Sequence, residues 1–305
     1  MLRKLLITAL ITALMLPNFA FANTSAEMTI IDKTTAVEKI LYGVEQTGSL
    51  IERLNKLEKE VFGNETKESL ANKSDRLYSY AKEVKPGAPS LILKLNTLEW
   101  HLTRAVTNQT AKTKLEALER TLYGNSAVAP VVERVNKLMK LSLVTGWPDV
   151  METTLLKDTL VKIKLTSDLS TKNSKVGDPV AFQVTNDVFV DGVLALPSGV
   201  QGFGKVTKVT QRKNFGRDAK LEVAFEAVEG LDGSIVATEM GEKAKEETKS
   251  LVKAAGATVA GLALLGPFGV VGGAFVHGQD VDIPAGTELY IQVKTDTLIS
   301  GIKVN

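Results

Sequence analysis

The sequence predicts an α+β chain of two domains, an N-terminal helical repeat or bundle followed by a small antiparallel β-barrel or sandwich. Three observations carry that prediction. Leucines recur at helical spacing through residues 33–146, and β-branched runs between turn dipeptides replace them from Thr159 on. An uncharged, glycine-rich stretch then interrupts the second pattern, and it reads as an apolar helical hairpin inserted in the β-domain.

Residues 1–22, MLRKLLITALITALMLPNFAFA, have the form of a secretory signal peptide. Arg3 and Lys4 precede an apolar core, Leu5 to Leu16, and Ala20-Phe21-Ala22 is an A-x-A cleavage site. Twelve apolar residues are too few for a membrane span, which needs about 20. Without Arg3 and Lys4 the 37 basic residues become 35, equal to the 35 acidic ones. A neutral mature chain gives no electrostatic reason to expect a nucleic-acid partner. The absence of cysteine excludes disulfides and thiol chemistry. The expectation is an exported protein, periplasmic or outer-membrane associated in a diderm bacterium.

Residues 23–147 make the expected helical domain of five or six helices. Leu50, Leu54, Leu57 and Val61 form a narrow seam, as do Leu91, Leu95, Leu98 and Leu102, and Leu115, Leu118 and Leu122. Thr35-x-x-Glu38 and Ser49-x-x-Glu52 fit the capping box. Gly43, Gly63 and Gly124 each follow an aromatic residue, as left-handed C-cap glycines do. Glu38-Lys39-Ile40-Leu41-Tyr42-Gly43 recurs as Glu58 to Gly63 and again as Glu119 to Gly124, so the domain is internally repeated. The charged residues read as solvated faces and the aromatics as caps on the core. These copies resemble the short leucine-glutamate-aromatic-glycine repeats of envelope proteins of diderm bacteria, which implies a platform or arm.

Thr145-Gly146-Trp147-Pro148 ends the helical part, with Trp147 expected to wedge between the halves. Residues 148–158 read as a linker with a short helix. The β-domain, 159–305, has candidate strands at Leu160–Leu165, Val180–Thr185, Val193–Leu196, Gly202–Thr210, Lys220–Val228, Ser234–Thr238 and Glu288–Lys294. Asp191-Gly192 and Asp232-Gly233 are favoured hairpin dipeptides. Pro197 and Gly199 in one turn are matched by Pro284 and Gly286 in another, each ahead of an alternating strand.

The insertion, 241–280, opens with a charged helix and continues into Ala254–Gln279, twenty-six residues without Asp, Glu, Lys or Arg. Gly256, Gly261 and Gly266 recur every fifth residue, Gly266-Pro267-Phe268-Gly269 is the turn, and Gly269 with Gly273 permits close helix contact ahead of Phe275. Three readings stay open: a membrane or self-association hairpin, a hairpin packed on its own domain, and a single span. A single span would put the two echoed Pro-x-Gly turns on opposite sides of a bilayer.

No catalytic constellation, cofactor motif or metal-ligand spacing stands out. The two histidines, His101 and His277, fall in different domains, His101 beside the helix seam and His277 at the end of the apolar stretch. Asp178, Asp187 and Asp191 are the only acidic group worth testing for hydrolysis, and each stands beside a turn where aspartate bonds its own backbone.

A second resemblance rests on Thr166-Ser167-Asp168-Leu169-Ser170, Val188 to Val190, Leu194-Ala195-Leu196-Pro197-Ser198-Gly199, Gly204-Lys205-Val206, Leu221 to Phe225 and Leu231-Asp232-Gly233. This run resembles the C-terminal β-barrel of the outer-membrane scaffold proteins of conjugative type IV secretion systems. The resemblance implies a barrel whose inserted helical hairpin meets the outer membrane as an oligomer. The chain departs from that family in its cleavable signal and its helical repeats, so the implication is of architecture and not of DNA transfer. Together these readings predict a non-enzymatic envelope protein, a structural or adaptor component. It would be a homo-oligomer with membrane contact through the hairpin and an envelope-protein or cell-wall partner on the helices. The alternative is a soluble periplasmic module for a small ligand or glycan, with the insertion packed on its own barrel.

Overall fold

The structure, a computed structural model, describes residues 28–211, 219–254 and 281–304. Six helices come first: α1 (Ile30–Tyr42), α2 (Leu50–Phe62), α3 (Leu70–Lys82), α4 (Leu91–Thr103), α5 (Ala111–Tyr123) and α6 (Val131–Ser142). Their starts lie 20 or 21 residues apart. A hydroxyl opens each of the first five, with Thr29, Ser49, Ser69, Ser90 and Thr110 accepting a backbone N–H three residues on. Gly43, Gly63 and Gly124 close α1, α2 and α5 with φ of 82°, 86° and 79°. Ser49 and Glu52 form a capping box, but α1 begins earlier than the sequence suggested. Its box is Thr29–Asp32, because Thr35 already lies in the second turn and accepts a hydrogen bond from Arg53.

The leucine seams meet in one core, in which Leu54, Leu57, Val61, Leu91, Leu95, Leu98 and Leu115 are at most 1% exposed. Leu122 departs from its seam and faces solvent. The charged residues depart further from expectation. Glu38, Glu58, Glu99 and Glu119 occupy the ninth position of α1, α2, α4 and α5 and are buried. Each accepts the backbone N–H eight residues on, from Gln46, Thr66, Thr107 and Ala127, at 3.0–3.1 Å. Each also pairs with the cation fifteen residues on, Arg53, Lys73, Lys114 or Arg134, at 2.6–2.9 Å. A buried carboxylate is tolerable only when paired and hydrogen-bonded, and here every one is. Glu52, Lys56, Lys59, Arg120, Glu133 and Lys137 are exposed as a solvated face requires, whereas these four pairs are ion-paired joints between successive helices.

Tyr78 and Met139 replace the glutamate in α3 and α6, which divides the domain into two three-helix halves. At the junction Lys94 stands where a pairing cation is due and meets no carboxylate among the described residues. It lies instead 5.1 Å from the Tyr80 ring centre and 4.8 Å from that of Trp147. Trp147 thus packs on the helical core and does not wedge between the domains.

The remainder is β1 (Val150–Leu155), β2 (Leu160–Leu165), β3 (Leu169–Ser170), β4 (Pro179–Val184), β5 (Val188–Val190) and β6 (Val193–Leu196). It continues with β7 (Gln201–Thr210), β8 (Lys220–Glu229), β9 (Ile235–Glu239), α7 (Glu242–Ala254), β10 (Asp282–Ile283), β11 (Glu288–Val293) and β12 (Thr297–Lys303). The short helix expected within residues 149–158 is absent. Val150–Leu155 of that stretch form β1, which is held by a six-residue antiparallel ladder to β12.

Six strands close an antiparallel barrel in the order β11-β2-β4-β7-β8-β9. A second sheet runs β1-β12-β6-β5, and β10 pairs with β3. The chain is therefore α+β with a helical domain ahead of a barrel domain. Alternate residues of β2, β4 and β8 point inward, and Phe182 meets Phe225 edge-on at 5.3 Å in the centre. The join between β11 and β9 is short, only Gln292↔Glu239 and Val293↔Thr238, against five pairs between β11 and β2. Beyond it α7 takes the place of a strand: Tyr290 N donates to Thr248 Oγ1 at 2.9 Å, and Ala244 N donates to Gln292 Oε1 at 3.1 Å. Among the described residues no helix is long and apolar enough to cross a membrane.

Candidate functional site

The two domains meet through side chains of α4 and the turn that follows it. Leu93, Trp100 and Val106 are buried in the barrel's own hydrophobic core. Polar groups fix the register of that contact. Asn96 Nδ2 donates to the Leu231 carbonyl at 2.9 Å, and Trp100 Nε1 donates to Asp187 Oδ2 at 2.9 Å. Val106 N donates to the Ser198 carbonyl at 2.7 Å, and Lys82 Nζ donates to the Gly233 carbonyl. The Pro197-x-Gly199 and Asp232-Gly233 turns thus serve as the barrel's side of the domain seam.

Between these contacts lies a cavity of ≈ 380 Å³, with Lys82, Asn96 and Lys114 on its helical wall and Gln201, Glu229 and Gly233 on its barrel wall. Lys114 Nζ bonds Glu99 Oε2 at 2.9 Å and Asn96 Oδ1 at 2.6 Å, which neutralises that pair. Asn108 Nδ2 donates to the Gln201 side-chain carbonyl. The side-chain carboxylate of Glu229, at the end of β8, accepts no hydrogen bond from a described residue. Burial raises its carboxyl above the usual carboxylate range, against the opposing pull of Lys82 and Lys114. Burial also holds the Lys82 and Lys114 ammoniums below the usual lysine range, with nearby carboxylates opposing it. The arrangement can bind a small polar molecule by hydrogen bonds and charge.

The residues singled out in the sequence are placed as follows. Pro197-x-Gly199 and Pro284-x-Gly286 form like turns, with Val200 N and Thr287 N donating back to the proline carbonyls and φ of 89° and 84° at the glycines. They differ in surroundings. A Cβ on Gly199 would lie 2.4 Å from the Val106 carbonyl oxygen, whereas nothing lies within 4 Å of one on Gly286. Asp178, Asp187 and Asp191 do different jobs. Asp178 accepts the Lys175 N–H, Asp187 joins the domain seam, and Asp191 takes φ of 50° in the β5–β6 turn. Among the described residues no three His, Asp or Glu side chains gather as a metal ion would require. His101 is exposed, because the neighbouring Trp100 is the residue turned to the barrel. Gly256, Gly261, Gly266, Pro267, Phe268, Gly269, Gly273, Phe275 and His277 lie outside the described residues, as does the signal segment 1–22.

Fold and seam define the class: an α+β protein in which a helical repeat domain is fixed to a closed six-stranded barrel. No protein-family model and no curated protein matches the chain. Among solved structures it is similar to ComB10 of the Com type IV secretion system of Helicobacter pylori, at 16% identity and a TM-score of 0.27. That similarity covers 49% of this chain and 96% of the other. At that score it carries no functional argument.

Proposed function

We propose that the protein is a non-enzymatic structural or adaptor component of a bacterial cell envelope, exported through residues 1–22. The helical domain is an arm that binds an envelope partner, and the barrel is its base. Residues 254–280 contact a membrane or another copy of the chain. The observation that carries this reading is the domain seam. Domains in one chain move relative to each other unless their interface is extensive and apolar. Here Leu93, Trp100 and Val106 enter the barrel core and buried hydrogen bonds fix their register. A partner gripped by the helices is thereby held rigidly to the barrel, from which the uncharged stretch departs directly after α7.

The test is deletion of residues 254–277 from the mature chain, followed by fractionation and sizing with and without detergent. We expect the intact protein to associate with membranes or run as an oligomer and the shortened one to run as a monomer. Identical partitioning and size for the two would overturn the anchoring role.

A further inference from the structure

We propose that the cavity between the helical domain and the barrel binds a small zwitterion, a free amino acid or a dipeptide, whose ammonium meets Glu229 and whose carboxylate meets Lys82. Its described lining residues come from the helical domain and the barrel, so its test is separate from that of the anchoring role proposed above.

The argument is one of leftover charge. Of the cavity's charges, Lys114 is cancelled by Glu99 of α4, which stands behind the lining, at 2.9 Å. Lys39, a further cation of the lining, is exposed to solvent. What remains half-buried and facing the space is the Lys82 ammonium, with one of its three N–H groups spent on the Gly233 carbonyl, and the Glu229 carboxylate, with no donor among the described residues. The two do not join in an ion pair. Partly buried charges left without hydrogen bonds are costly, and a native fold keeps them where a partner supplies the missing contacts. A simple anion would satisfy Lys82 and be repelled by Glu229. A simple cation would satisfy Glu229 and be repelled by Lys82. A sugar would offer hydroxyls to both and neutralise neither. A molecule carrying an ammonium at one end and a carboxylate at the other answers both residues and adds no net charge.

Two further features fit. The Gln201 carbonyl is taken by Asn108, which leaves its amide N–H groups free to meet a carbonyl between the two charged ends, as in a peptide bond. The volume of ≈ 380 Å³ is at the low end of the range of about 300–1,000 Å³ for ligand pockets, and domain interfaces are a preferred place for them. Because its walls come from both domains, an occupant would also fasten the arm to the base.

The experiment is isothermal titration calorimetry of the full mature chain with alanyl-alanine, N-acetyl-alanyl-alanine and glucose, repeated on Glu229→Gln and Lys82→Met. Alanyl-alanine should bind, and acetylation of its amine should weaken binding by about tenfold or more. Glu229→Gln should weaken alanyl-alanine to a similar degree and leave the weak acetylated ligand unchanged. Lys82→Met should weaken both. Thermal melts accompany each variant. The near-isosteric Glu229→Gln change reports on the site even if Lys82→Met loosens the seam. Absence of alanyl-alanine binding, equal binding of glucose, or affinity indifferent to Glu229→Gln would each overturn the proposal.

Discussion

Removal of Arg134 tests the interior ion pairs most directly. Its guanidinium bonds both oxygens of Glu119, Nε to Oε1 at 2.9 Å and one terminal nitrogen to Oε2 at 2.6 Å. The Glu119 side chain is 1% exposed and that of Arg134 10%. Arg134→Leu therefore leaves a carboxylate without its counter-ion where water does not reach. Breaking one partner of such a pair costs about 3–5 kcal/mol, a large part of the ~5–15 kcal/mol that holds a domain folded. Replacing both partners by leucine removes the charge altogether. The Ala127 N–H, which Glu119 accepts at 3.1 Å, is then left without its acceptor, a loss of about 1–3 kcal/mol. The double variant should consequently be no less stable than Arg134→Leu alone. Urea unfolding followed by far-UV circular dichroism at neutral pH, run as a double-mutant cycle, measures this. A loss below about 1 kcal/mol for Arg134→Leu, the level of an exposed pair, would refute the interior reading.

Three other expectations follow from the same geometry. Burial alone would raise the Glu58 and Glu119 carboxyls, but the bonds from Lys73, Thr66 and Arg76, and from Arg134 and Ala127, outweigh it and set them below the usual range. Their stabilisation is present above the unfolded pKa of about 4.3 and is lost as pH falls toward the folded value. An acid titration of helicity should show it, and Glu119→Gln should flatten the curve. Glu229 has the opposite sign, since its raised carboxyl contributes stability below the unfolded pKa that is lost as pH rises through the folded one. Glu229→Gln should thus raise the melting temperature at neutral pH and leave it unchanged in acid. Gly199→Ala and Gly286→Ala place the same residue in like turns, each with a left-handed strain of about 1–2 kcal/mol. Only at Gly199 does the new Cβ strike Val106, so that variant should be distinctly less stable in thermal unfolding and its inter-domain segment more open to protease.

Much of the fold was legible in the sequence. Leu160–Leu165 and Val193–Leu196 were read with the bounds the strands have, since β-branched alternation and turn residues agree there. β12 was missed because Gly301 interrupts its pattern. That glycine is needed where the Leu194 carbonyl oxygen comes within 2.3 Å of any Cβ placed there. β1 was missed because Val150–Leu155 lacks alternation, and its ladder to β12 supplies what local preference does not. The buried glutamates were misplaced for a different reason. A charge on a helix reads as surface unless its partner is seen, and the partner lies fifteen residues away on the next helix. The signal was present, in the fixed offset from Glu38 to Arg53 and from Glu119 to Arg134. Trp100 was passed over as the inter-domain residue in favour of Trp147, because the Gly-Trp-Pro run resembles a boundary. The cavity residues Lys82, Lys114 and Glu229 come from three distant segments, and no local pattern joins them.

The short join between β9 and β11 gives the barrel a mechanical direction. Its wall is six strands with one helix set into a gap, and α7 is both the filler of that gap and the stem of the uncharged stretch. A pull reaching the barrel through α7 would first load the Thr248–Tyr290 and Ala244–Gln292 bonds and then a two-rung ladder. The five rungs between β11 and β2 and the long β7–β8 ladder would stay unloaded. Force on that segment would therefore unzip the cylinder along one line and spare the helical arm, which is attached at the Asp232-Gly233 and Pro197-to-Gly199 turns.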